Sequence, residues 1–209
     1  MTRRIFIIRH GNTFAPGEPP RRIGSRTDLP LVASGRAQAR ALGDTLAVAG
    51  VHPVAVHASP LARAAESAAL ICSVLPGAPL VSTAEWLSEI DYGPDEGMPE
   101  SAVIDRVGAE ALAAWSEIAE PPPGWQVDPA ERIAAWRRFF ATAGDGDHLC
   151  ITSNGAARFA LLADPALAGT ELTLRTGAAG LILLEPERPP HLAFWNARPG
   201  DPAWMAVGN

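Results

Sequence analysis

The sequence contains no lysine, so all 17 of its basic residues are arginine. It has two cysteines, Cys72 and Cys150, which stand in separate apolar runs and are expected to be small core residues. Neither belongs to a CxxC pair, so no zinc or redox motif is present. No segment approaches the roughly 18 consecutive apolar residues of a membrane-spanning helix, and the apolar run after "MTRR" lacks the length and cleavage site of a signal peptide. These absences predict a soluble, cytoplasmic protein that does not bind membranes.

The sequence also disfavours two classes of protein, those that bind nucleic acids and those that bind nucleotides. The formal net charge is -6 and the pI is about 5.3, whereas nucleic-acid-binding proteins usually present a basic surface. Neither GxGxxG nor GxxxxGK[ST] occurs, which removes the main signal for a dinucleotide or P-loop site. The arginine excess has two explanations, a compositional bias of the genome or the suitability of a forked cation for phosphate, and composition leaves both open.

The arrangement of apolar segments predicts one α/β domain over residues 1–209. Hydrophobic residues make up 47% of the chain, enough for a sizeable core. Short β-branched runs alternate with helical patterns, which favours a largely parallel sheet covered by helices on both faces. The predicted strands are 3–9, 54–58, 80–82, 149–152, 179–185 and 191–197, the last two joined by the hairpin-like "PERPP". The predicted helices are 34–49 with Ser34 as N-cap, 59–75 with Ser59 as N-cap and Pro60 at the first position, 100–119, 129–143 and 156–164.

Polar side chains follow several of the predicted strands. In an open parallel sheet, ligands bind beyond the carboxyl ends of the strands. That rule selects "RHGNT" after the first strand, Arg63 in "SPLAR" after the second, Glu89 in the loop "LSEIDYG", and Asn154 at the end of "LCITSN".

Together these residue types suit covalent phosphoryl transfer. A neutral histidine such as His10 is a good nucleophile towards phosphorus, and two arginines can fork onto phosphate oxygens. A carboxylic acid can protonate the leaving alkoxide. Each residue alone is a weak signal, since a strand-end histidine or a helix arginine is often only a surface group, and spacing cannot show that the four places meet.

Four segments resemble motifs of the histidine phosphatase superfamily, the phosphoglycerate-mutase-like group. They occur in the order and with the spacing of that family, and the resemblance covers nearly the whole chain. They are "RHGNT", "GSRTDLPLVASGRAQA" (24–39), "SPLARAAESA" (59–68) and "LSEIDYGPDEGM" (87–98). The resemblance implies a three-layer αβα sandwich and a phosphorylated small-molecule substrate, with no metal or cofactor.

The resemblance also implies residue roles. His10 matches the nucleophile that becomes phosphorylated, Arg9 and Arg63 the two phosphate-binding arginines, and Glu89 the acid that protonates the leaving group and later activates water. The loop after the nucleophile carries further expected substrate contacts, Asn12 and Thr13. Gly24 and Ser25 are expected either to contact substrate or to shape the pocket wall.

Asn154 departs from the family pattern. The matching stretch usually reads like "VSHGG" and supplies a histidine to the phosphate pocket, whereas this chain reads "TSNGA". His57 is the best outside replacement, because it stands two residues before Ser59. The sequence therefore predicts either a phosphatase slowed or specialised by Asn154, or an impaired member that binds a phosphorylated metabolite or protein without turnover.

Substrate choice and assembly are less defined. A mutase is disfavoured because the chain is short for such enzymes and has no obvious segment to hold a bisphosphate. The substrate is expected to be set by the 12–26 loop and the 90–128 region, and a homodimer is compatible with the sequence. Large aromatics in or near that region are expected either to pack in the core or to line the pocket rim: Trp86, Tyr92, Trp115 and Trp125.

Overall fold

A single six-stranded sheet forms the centre of the protein, whose computed structural model describes residues 2–207. The strand order is β3-β2-β4-β1-β5-β6. The pairs β3/β2, β2/β4 and β4/β1 are parallel, whereas β5 runs antiparallel to both of its neighbours. The mostly parallel sheet and the β5–β6 hairpin are therefore confirmed. The strands are β1 (Arg3–Arg9), β2 (Pro53–Ala58), β3 (Val81–Thr83), β4 (Gly146–Thr152), β5 (Ala179–Leu184) and β6 (His191–Ala197).

Helices cover both faces of the sheet. Side chains alternate along a strand, so β1 sends Ile5 and Ile7 into one buried cluster and Phe6 and Ile8 into the other. This arrangement confirms the three-layer αβα sandwich. The Phe6 side is covered by α1 (Ala33–Val48) and α2 (Ala62–Cys72), and the Ile5 side by α3 (Glu100–Val107), α4 (Ala109–Ile118), α5 (Pro129–Thr142) and α6 (Asn154–Leu161).

The two serine N-caps predicted from the sequence are wrong. Helix α1 begins one residue earlier than expected, with Val32 at its cap position, so Ser34 lies inside the helix. Helix α2 begins after Leu61, so Pro60 also lies before the helix. The Ser59 N–H still donates to the Ile151 carbonyl, 3.0 Å away, and this bond extends the sheet pairing by one residue. The chain therefore leaves the sheet too late for Ser59 to cap the helix.

One predicted helix is divided and one strand is longer than expected. Gly108 has φ of 83°, a left-handed value that glycine adopts readily and that a helix cannot contain, so the predicted helix 100–119 is two helices. Strand β4 starts at Gly146 because residues 146–148 pair with Arg3–Ile5 of β1. Among residues 2–207, no helix combines the length and the apolar character that a membrane crossing requires.

Candidate active site

The carboxyl ends of β1, β2 and β4 meet at one edge of the sheet. Arg9 pairs with Thr152, and the His10 N–H donates to the Thr152 carbonyl at 3.1 Å. On the other side of β4, Ala58 pairs with Ile151. The parallel register thus brings the loop after β1, the start of α2 and the start of α6 together.

A cavity of about 480 Å³ opens at this edge. Six of the seven residues predicted to catalyse or bind substrate line it: Arg9, His10, Asn12, Thr13, Glu89 and Asn154. Arg63 lies behind the cavity wall, fully buried, and close enough for its charge to act on His10. The structure therefore brings the four strand-end places together, which the sequence alone could not show.

His10 is held in one orientation by its own loop. Only 4% of its surface is exposed, and its Nδ1 lies 2.8 Å from the Gly11 carbonyl oxygen. Because a carbonyl only accepts hydrogen bonds, Nδ1 carries the proton and the neutral ring keeps a free lone pair on Nε2. Burial, reinforced by the charges of Arg9 and Arg63, lowers the pKa of His10 well below its ordinary value. The ring is therefore neutral, the state a nucleophile requires.

Leu174 connects Arg9 with Asn154. The Arg9 guanidinium donates from Nη1 to the Leu174 carbonyl at 2.7 Å, while its Nε is buried without a partner within residues 2–207. The Leu174 N–H donates to the Asn154 Oδ1 at 2.8 Å. Since this bond occupies the oxygen of the amide, the NH₂ group of Asn154 is the end available to a ligand in the cavity.

Arg63 is the second residue of α2, and its guanidinium holds the segment that forms the far wall. It donates to the carbonyls of Thr27 at 2.8 Å and Gly24 at 3.0 Å. Its Nε is buried without a partner in the described structure. Burial lowers the pKa of Arg63, and the carboxylate of Glu89 opposes that shift.

Glu89 is a buried carboxyl fixed by two backbone donors. The Ile90 N–H donates to Oε1 at 2.9 Å, and the Gly155 N–H at the start of α6 donates to Oε2 at 3.1 Å. Arg132 of α5 donates to the carbonyls of Trp86 and Ser88, just before the carboxyl in the chain. The loop that carries Glu89 is therefore anchored on both sides.

The loop after His10 packs against the start of α1. The Asn12 N–H donates to Gln38 Oε1 at 2.9 Å, and its side-chain amide donates to Ser34 Oγ at 3.5 Å. Asn12 and Thr13 both border the cavity. Gly24 and Ser25 do not line the cavity. They pack against the Glu89 loop, where the Ser25 N–H donates to the Ile90 carbonyl at 3.0 Å, so they shape the wall.

Most of the other predicted candidates lie elsewhere. His57 stacks at 6.4 Å on His148 and contacts Ser82 Oγ at 2.7 Å through Nδ1, outside the cavity, so it does not replace the missing histidine. Of the four aromatics considered for the rim, only Tyr92 borders the cavity. The other three pack in the core on the Ile5 side of the sheet: Trp86, Trp115 and Trp125.

A model of the histidine phosphatase superfamily (branch 1) matches residues 5–188. The chain belongs to this superfamily. The family predicted from the sequence motifs is thereby confirmed, and the matched range includes all the residues that line the cavity.

The chain is similar to a curated mutase and to the solved structure of a phosphatase. The chain is 26% identical over 129 residues to the 2,3-bisphosphoglycerate-dependent phosphoglycerate mutase of Corynebacterium glutamicum, covering 61% of this chain and 51% of the mutase. It thus spans about half the length of that curated relative. A solved mycobacterial glucosyl-3-phosphoglycerate phosphatase superposes with a TM-score of 0.74 at 22% identity, over 94% of this chain and 100% of that chain. That likeness supports the shared fold.

Residues of the segment 14–23 and Glu100 line the part of the cavity that we call the outer cavity. They lie in the 12–26 loop and the 90–128 region expected to set the substrate, but the sequence did not single them out individually. Arg22 and Glu100, which are 78 positions apart, are joined there by hydrogen bonds. No local pattern links two such positions, so only the folded chain reveals the pair. The further lining residues are Phe14, Ala15, Glu18, Pro20, Arg21, Ile23 and Thr176.

Proposed function

We propose that the protein is a phosphomonoesterase that hydrolyses a phosphorylated small molecule through a phosphohistidine on His10, with residues 1–209 acting as one domain. The observation that carries this proposal is the buried, neutral His10, whose Nε2 lone pair is left free by the Nδ1 contact to Gly11. Arg9 and Asn154 bind the phosphoryl group in the cavity, and Arg63 stabilises its negative charge from behind the cavity wall. Asn12 and Thr13 lie at the rim beside it.

The reaction divides into two displacements. In the first, His10 Nε2 attacks phosphorus, the ester P–O bond breaks, and the protonated Glu89 carboxyl gives its proton to the leaving oxygen. In the second, the Glu89 carboxylate takes a proton from water while the water oxygen attacks phosphorus and the P–N bond breaks. Neutral His10 and protonated Glu89 are restored. The Gly11 carbonyl stabilises the positive charge on the ring of the intermediate, since it accepts the Nδ1 proton.

Asn154 slows this reaction in comparison with a histidine at the same corner. Its amide donates to the phosphoryl group without a positive charge, and charge-assisted hydrogen bonds are roughly twice as strong as neutral ones. Loss of one preorganised donor costs about 10²–10³ in kcat, so a weaker donor costs less than that.

The second candidate function is binding of a phosphorylated metabolite or protein without turnover. Two observations favour it. The donor at the Asn154 corner is uncharged, and Arg63 lies behind the cavity wall with its terminal nitrogens already bonded to backbone carbonyls.

Hydrolysis of an aryl phosphate at mildly acidic to neutral pH separates the two functions. The variants are His10→Ala and Asn154→His, with the exposed His191 changed to Ala as a matched control. Turnover by the wild type that is lost in His10→Ala and retained in His191→Ala supports the phosphatase. If the wild type is inactive and Asn154→His gains activity, the phosphatase proposal is wrong and the binding function is favoured.

A further inference from the structure

Two arginines border the outer cavity, and each faces its own carboxylate. Nη2 of Arg22 donates to both carboxylate oxygens of Glu100, at 2.7 and 2.8 Å. The second pair is looser: Nη2 of Arg21 lies 3.9 Å from Oε1 of Glu18, too far for a hydrogen bond, and both side chains are about half exposed. The charges of this outer part therefore balance, two positive against two negative.

Aromatic rings hold Arg22 in this position. Its guanidinium carbon lies 5.5 Å from the ring centre of Tyr92 and 4.9 Å from that of Trp125, and the side chain is 17% exposed. A guanidinium in such an aromatic setting gains cation–π stabilisation. Arg22 would lose the Glu100 contact and this stacking if it moved to pair with an anionic ligand.

The consequence is a cavity in which one arginine is better placed than the others to receive an anionic group. Among the described residues that line it, the arginines are Arg9, Arg21 and Arg22, and only Arg9 lies in the inner part without a carboxylate partner of its own. A second anionic group on a ligand would approach Glu18 and Glu100 and would have to compete with them for Arg21 and Arg22. A hydroxyl group, which both donates and accepts, suits a carboxylate next to a guanidinium.

We propose that the site selects phosphomonoesters whose alcohol part is an uncharged polyol, and that Glu100 disfavours esters with a second anionic group. This inference rests on the proposed phosphatase function. It concerns the leaving group, whereas the proposed function concerns the phosphoryl group.

Two esters that differ only in the tested feature probe this selection. D-Glycerol 3-phosphate (sn-glycerol 1-phosphate) and D-3-phosphoglycerate share the phosphate and the configuration of the central hydroxyl, and the first has CH₂OH where the second has a carboxylate. A second anionic group would lose hydration here and would gain a cation only by displacing Glu18 or Glu100, so we expect about tenfold higher kcat/KM for glycerol 3-phosphate.

Glu100→Gln removes the carboxylate charge next to Arg22, and the preference for glycerol 3-phosphate should then fall by roughly three- to tenfold. Glu110→Gln is the matched control, because Glu110 is exposed in α4 and outside the cavity. The Glu110→Gln variant should prefer glycerol 3-phosphate to the same extent as the wild type.

The outcomes separate this inference from the proposed function. If hydrolysis depends on His10 but is equal or faster with D-3-phosphoglycerate, the proposed selection is wrong and the phosphatase function is still supported. The same holds if Glu100→Gln shows the same preference as the wild type. If the wild type hydrolyses neither ester nor an aryl phosphate, the phosphatase proposal fails. Calorimetric Kd values for the two esters then test the selection: tighter binding of glycerol 3-phosphate supports it, and equal or weaker binding overturns it.

Discussion

Gly155→Ala tests whether the position of Glu89 controls the reaction. Gly155 lies in the first turn of α6 and donates its N–H to Glu89 Oε2. A Cβ at this residue would lie 2.2 Å from Glu89 Oε1, while real Cβ contacts essentially never fall below 3.0 Å. The carboxylate must therefore retreat by roughly 0.8 Å, the difference between these distances.

Such a displacement should reduce activity far more than stability. A misplacement of about 1 Å in a catalytic geometry costs roughly 10²-fold in rate, which corresponds to about 2.7 kcal/mol of transition-state stabilisation. The weakened hydrogen bond costs about 1 kcal/mol of folding free energy, and alanine returns about 1 kcal/mol through its higher helix propensity. We expect the free energy of unfolding to stay within about 1 kcal/mol of the wild-type value.

The assay pairs kcat/KM for an aryl phosphate with urea denaturation. Gly144→Ala is the matched control, because a Cβ at Gly144 meets nothing within 4 Å. We expect only Gly155→Ala to lose activity. The reasoning is refuted if Gly155→Ala keeps activity within about threefold of the wild type, or if its loss of activity is matched by an equal loss of folding free energy.

Two further changes test contacts away from Glu89. The side chain of Asn196, which has φ of 64°, accepts from the Arg175 N–H and donates to the Thr173 carbonyl, at 2.7 Å each, on either side of Leu174. Asn196→Ala should therefore loosen the positions of Arg9 and Asn154 and raise KM about tenfold. An unchanged KM and an unchanged Kd for inorganic phosphate would contradict this. Burial, with a smaller effect of the neighbouring His148, lowers the pKa of His57, so the unfolded chain binds more protons. The free energy of unfolding should therefore decrease as pH falls below about 6.5, and His57→Gln should flatten part of that decrease in urea titrations at several pH values; identical slopes would count against the burial argument.

The sequence indicated the fold and much of the cavity because those features depend on local signals. The apolar run of β1 is too short for a buried helix and therefore indicates a buried strand. The residues directly after such a strand lie at the edge of a parallel sheet where ligands bind. His10, Glu89 and Asn154 could be selected in this way, and their placement around one cavity agrees with the expectation. Their catalytic roles stay predictions. The N-cap predicted at Ser59 was wrong because pairing with β4 extends one residue beyond β2, and the local helix signals at Ser59 and Pro60 carry no information on that pairing.

By itself, the sequence determined the alternation of strands and helices, the family and the identity of the residues at the strand ends. Only the tertiary structure decided which groups hold them. Arg9 bonds Leu174 across 165 positions, and Arg22 bonds Glu100 across 78. Such contacts leave no periodic trace in the chain, because they depend on which elements pack together and on the direction in which each loop leaves the sheet. For that reason the sequence identified the edge of the sheet where the cavity lies, and only the folded chain showed how the charged side chains around the cavity are paired.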